Sequence, residues 1–179
     1  MQEHRRAIVT TLLVLGAIAL AVVVVKVLDA VGDPTPHAGG LPVSAVLPRA
    51  TRAESPFDGL SEINAAVGYK RCLRLAVADS LDERVAGLRG RTDLGPYDGM
   101  LFVFQGPSTS GFTMSGVTVP LEIAFFGSDG ARDSRRLMKP CPKAEAGCPV
   151  YRADGAYVYA VETLKGQLPS GPLTACAPA

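Results

Sequence analysis

Four cysteines, two histidines and a scatter of carboxylates are the groups in this 179-residue chain that could do chemistry. The histidines are excluded first. His4 and His37 both lie well before the strand-like sequence that begins near Tyr69. A Ser–His or Cys–His couple, or a histidine zinc site, therefore cannot be assembled within that sequence. There is no Gly-x-Ser-x-Gly elbow and no Gly-rich phosphate loop or nucleotide fingerprint. The cysteines are Cys72, Cys141, Cys148 and Cys176, and the closest pair encloses "PKAEAG". Structural zinc sites favour pairs separated by two to four residues, so this spacing in an exported chain points to disulfides. The expected pairs are Cys141–Cys148, closing a Pro/Gly-rich loop, and Cys72–Cys176, tying the first strand to the last. No metal and no cofactor is expected.

Asp98, Glu122 and Glu162, with Arg89 and Arg91, are the remaining polar candidates. An acid buried in an apolar strand can act as a general acid or base with a raised pKa. The plainer reading puts Glu122 on the solvent face of an edge strand, or pairs it with Arg91 to pin helix to sheet. Arg91, Asp98 and Glu122 are the candidate polar site, and Tyr97, Phe112 and Tyr151 the candidate aromatic binding surface.

The elements that must position these groups begin after an apolar run. Ala7 to Val25 contains no charge, follows Arg5-Arg6 and precedes Lys26. A helix rising about 1.5 Å per residue over that run crosses a hydrocarbon core of roughly 30 Å. The flanking arginines predict a cytoplasmic N-terminus with the remainder outside; cleavage as a signal peptide is the alternative, and both export the domain. The division expected is a cytoplasmic tip and transmembrane anchor over 1–28, an extended Pro/Gly-rich spacer over 29–68 whose rear part, Phe57 to Val67, can pack on the domain, and a β domain over 69–179. With 18 Lys+Arg against 17 Asp+Glu the formal charge is +1, which builds no phosphate-binding stripe and excludes nucleic acid as a partner.

"YKRCLRLAVA" alternates as a strand, and "SLDERVAGL" follows with a capping-box pattern at Ser80 and Glu83. Leu81, Val85 and Leu88 are expected to dock that short helix. "GMLFVF" is too short to span a bilayer and fits a central strand buried on both faces, packed against "VPLEIAFF" and not lining a ligand site. "SDGA" is a hairpin turn, and "AYVYAVET" and "GPLTAC" are the last strands. The fold expected is mainly β, a single β-sandwich or small barrel with one short helix.

The order of several short motifs resembles the domain of unknown function 192 family. They are Gly87-Leu88 with Arg91; Gly99 to Phe104; Phe112 with Met114; Pro120, Leu121, Glu122 and Phe125; Met138, Pro140 and Cys141; Cys148, Pro149 and Tyr151; and Glu162 with Gly166. The resemblance runs from about Cys72 to Ala179 and implies a compact, mainly β domain, often secreted or membrane-anchored, with no agreed activity. This chain has Thr113 where the family usually has Trp, Ser115-Gly116-Val117 in place of Lys-Asn-Thr, and Glu122 in place of Asp.

Two functions fit the inventory. One is a non-catalytic binding or interaction module outside the membrane, with an envelope protein or small ligand as partner. The other is a carboxylate-dependent hydrolase of envelope glycans, with Glu122 and Asp98 as the acid pair about 5–9.5 Å apart across a cleft.

Overall fold

The computed structural model describes residues 47–68, 71–142 and 147–176. The expected anchor and the front of the spacer lie outside the described residues. No helix among the described residues is long and apolar enough to cross a membrane.

The chain forms strands β1 (Thr51–Arg52), β2 (Ser61–Val67) and β3 (Cys72–Ala78), helix α1 (Leu81–Ala86), then β4 (Gly99–Ser108) and β5 (Phe112–Thr113). After these come β6 (Leu121–Phe126), β7 (Arg132–Met138), β8 (Val150–Tyr151), β9 (Tyr157–Leu164) and β10 (Leu173–Ala175). One sheet runs β1-β2-β3-β4-β9-β6-β7, with β10 also paired to β2, while β5 and β8 make a separate ribbon. The β3–α1–β4 crossover makes β3 and β4 parallel, and the neighbours of β4 are β3 and β9. "VPLEIAFF" is thus one strand removed from "GMLFVF", with β9 between them.

Alternation along the strands feeds two cores. Ala76, Met100, Phe102, Ile123, Phe125 and Ala160 belong to one cluster, and Leu75, Leu101, Val103, Ala124, Phe126 and Val161 to the other. Successive strand side chains point to opposite faces, so a strand apolar throughout must be covered on both sides. Leu88, Leu94, Tyr97 and Met114 cover the first face, and Leu168 and Leu173 the second. The cover comes from loops, from the turn after α1 and from the segment beside the ribbon, and the sheet stays open where a sandwich or barrel was expected. Leu173 N–H donates to Gly130 O at 2.9 Å, linking β10 to the β6–β7 turn without a closing ladder.

The sheet also starts earlier than residue 69. β2 pairs with β3 from Ser61↔Val77 to Ala66↔Cys72, and Ile63, Ala65 and Val67 are buried. The prolines end before Phe57, and a strand built partly of alanines shows weak alternation, which made this segment read as spacer.

Helix α1 has the expected capping box: Glu83 N–H donates to Ser80 Oγ at 3.3 Å and Ser80 N–H to Glu83 Oε2 at 2.9 Å. Its apolar face is not docked as expected. Leu88 is buried, but Leu81 is 68% and Val85 56% exposed. Gly87 at φ 49 turns the backbone before Leu88, so Leu88 leaves the face that Leu81 and Val85 share. Cys72 is bonded to Cys176 and Cys141 to Cys148.

Candidate functional site

The exposed Leu81 and Val85 stand at the rim of a cavity of about 250 Å³. Its walls are largely apolar: Phe102 and Phe104 of β4, Phe112 of β5, Met114, and Leu121 of β6. Phe102 meets Phe112 edge-on at 4.9 Å between centroids, so the two strands hold each other's rings in place. On the helix side, Gly87 sits where an added Cβ would lie 3.6 Å from the Phe102 ring, keeping the wall thin.

One carboxyl lines this cavity. Glu162 in β9 is 6% exposed, and its Cα partners are Met100 on β4 and Ile123 on β6. No hydrogen bond or ion pair to the Glu162 side chain is formed among the described residues. Burial alone pushes its pKa up to about 8, so the group is mostly protonated at neutral pH. Two arginines also line the cavity. Arg84 is held, donating from Nη1 to Asp79 O and to Val103 O (3.0 Å for the latter) with its guanidinium 4.9 Å from the Phe104 centroid. Arg89 is exposed.

The sequence-predicted polar residues lie elsewhere. Asp98 accepts from Arg71 and, at 2.9 Å, from Arg74 N–H. Glu122 accepts from Arg135 on the neighbouring β7 at 2.5 Å. Neither lines the cavity, and β9 lies between β4, which Asp98 precedes, and β6, which carries Glu122. Glu122 pairs in register with Thr163, so its side chain faces the side of the sheet opposite to Glu162. Arg91 donates to Pro56 O at 2.7 Å and stacks 4.4 Å over the Phe57 ring, with no contact to Glu122.

The three aromatics do not form one surface. Tyr97 is buried, edge-on to Phe57 at 5.0 Å, and its hydroxyl donates to Glu62 Oε2 at 2.5 Å. Glu62 also accepts from Arg74 Nη2 at 2.8 Å; Arg74 first and Tyr97 second hold its pKa below the usual carboxylate range. Phe112 lines the cavity, and its cross-strand partner Tyr151 accepts from Lys139 N–H at 2.9 Å. Glu162 carried a signal in the sequence, as the single acid of "AYVYAVET".

A family model decides the relationship: it matches residues 63–171. The chain belongs to the DUF192 family, described as an uncharacterized ACR. Among solved structures, this DUF192 chain is similar to a protein of unknown function from Novosphingobium aromaticivorans, with 25% identity and a TM-score of 0.53 over 72% of this chain and 89% of that one. A putative transcription regulator from Sinorhizobium meliloti is similar at 24% identity and a TM-score of 0.49, over 62% of this chain and 88% of that one. No curated protein matches the chain.

Proposed function

We propose that this DUF192 domain is a non-catalytic binding module, displayed outside the membrane by its N-terminal segment, that takes a small ligand into the cavity beside α1. The observation that carries this reading is the largely apolar cavity with one buried, unpartnered carboxyl at its wall. Ligand sites are typically apolar concavities with a few placed polar groups. Display outside the membrane is supported by the uncharged Ala7–Val25 run after Arg5-Arg6 and by the two disulfides. The hydrolase alternative asks for two carboxyls facing one cleft. The cavity offers Glu162 alone, while Asp98 and Glu122 are each neutralised by arginine.

The test is thermal unfolding of the full chain against a library of small organic compounds. A subset should raise the midpoint, and Ala86→Trp, which places a large ring at the cavity mouth, should abolish those shifts. No compound shifting the midpoint, or shifts unchanged in Ala86→Trp, would remove the cavity from consideration.

A further inference from the structure

We infer that the ligand is a small organic amine, its ammonium group on the Glu162 carboxyl and its carbon body among Phe102, Phe104 and Phe112. The inference rests on the binding reading above and names the chemistry of the occupant. The half-buried Glu62 and the buried Glu122 have their donors built in. Glu62 has Arg74 and Tyr97, and Glu122 has Arg135. Glu162 alone turns a buried carboxyl into a cavity with no donor from the described residues. No enclosed side-chain nitrogen or oxygen among the described residues lacks a partner, so the Glu162 oxygens open to the cavity, where an occupant's donors can meet them.

The cavity selects among donors. Against the ionised Glu162 a carboxylate or phosphate brings like charges together, and against the protonated form it accepts a single bond from the carboxyl. A hydroxyl supplies one proton, whereas an ammonium supplies three and a full positive charge. Three phenyl rings line the same space, and ring faces attract cations. The charged residues that line the cavity from α1 and the turn after it are Arg84 and Arg89. Its partners in register, Met100 from β4 and Ile123 from β6, carry no charge, and Ser110 and Thr113 are neutral. Arg84 is already committed to Asp79 O and Val103 O, which leaves the carboxyl for the ligand.

The proton balance makes the idea measurable. At pH 7 both the free carboxyl, with its pKa near 8, and an alkylamine carry their protons. Forming the carboxylate–ammonium pair releases the Glu162 proton to solvent, about 0.9 per ligand at that pH.

The experiment is isothermal titration of the full chain with benzylamine and with its neutral near-isostere benzyl alcohol, in two pH 7 buffers of different ionisation heat. Benzylamine should bind at least tenfold more tightly, with release of about 0.9 proton. Its Kd should fall severalfold, approaching tenfold, from pH 6 to 7 and level off above pH 8. Glu162→Gln should lose both the preference and the proton release. Equal or tighter binding of the alcohol, amine binding without proton release, or a preference surviving in Glu162→Gln each overturns the inference. If the alcohol binds and the amine does not, the cavity stands and the amine falls; if neither binds, both fall. Should Glu162→Gln fail to fold, proton release by the unsubstituted chain decides.

Discussion

Met100 and Glu162 are Cα partners across the β4–β9 ladder. The pairing is close: a Cβ on neighbouring Gly99 would lie 2.0 Å from Glu162 O, which only glycine avoids. Strand β4 is apolar from Met100 to Phe104, and the carboxyl of the cavity it helps to line arrives from the strand beside it.

Burial of Glu162 predicts a pH-dependent loss of stability. Below about 4.5, its ordinary value, the carboxyl is protonated in folded and unfolded chains alike, and it contributes nothing to pH dependence. Between there and about 8 the unfolded chain releases a proton that the folded chain keeps, so stability falls as pH rises. The full loss is on the order of a few kcal/mol. Glu162→Gln should therefore match the parent near pH 4 and exceed it at pH 8. Denaturant midpoints across that range give the answer, and a parallel pair of curves would mean the carboxyl is solvated.

Glu62 has the opposite sign. Its pKa is lowered by Arg74 and then by Tyr97, so its contribution is present above the ordinary value and lost as pH falls. Glu62→Gln should cost about 1–3 kcal/mol at pH 7, the scale of a hydrogen bond to a charged group, and less at pH 3. Urea unfolding at the two pH values measures it.

What the sequence revealed follows what is local. The capping box at Ser80 and Glu83, the β6–β7 hairpin and the strand character of "GMLFVF" depend on neighbours in the chain and were legible. The β3–β4 parallel pairing and β9 lying between β4 and β6 depend on which strands meet, which alternation does not encode. The site was obscured for the same reason. Reading "MLFVF" alone showed no polar group and suggested core, and Phe102 and Phe104 line the cavity nevertheless. Asp98 and Glu122 stood out as acids beside apolar runs, but each has an arginine on a neighbouring segment that absorbs its charge.

Cys72 and Cys176 lie 104 residues apart, so their bond constrains most of the unfolded domain. Replacing both with serine should lower stability by about 2–5 kcal/mol. The same change at Cys141 and Cys148, separated by 7, should cost less, because the loop is short. Thiol labelling of unreduced, denatured protein checks the starting state, and stoichiometric labelling of any of the four would contradict the pairs.

The N-terminal run from Ala7 to Val25 is expected to stay attached, with the domain outside. Mass spectrometry of the mature chain should find the N-terminus at or next to Met1. A mature terminus near Ala30 or beyond would mean a cleaved leader.

Phe102 and Phe104 lie two residues apart on one face of β4, and truncating them should separate core from cavity wall. Phe102 is 1% exposed, edge-on to Phe112 and packed beside Gly87. Phe102→Ala should cost about 3–5 kcal/mol, since the void it opens joins the existing cavity and the surrounding strands cannot collapse into it. Phe104 is only half-buried, lying between the Arg84 guanidinium and the Tyr157 ring. Its truncation should cost less than half as much, because part of the ring already faces water and Arg84 keeps its bond to Val103 O. Denaturant unfolding of the full chain compares them, and the full chain matters: a fragment starting at Cys72 would lack β2 and leave β3 paired on one side only. Equal losses for the two variants would place Phe104 in the core with Phe102 and narrow the cavity from that side.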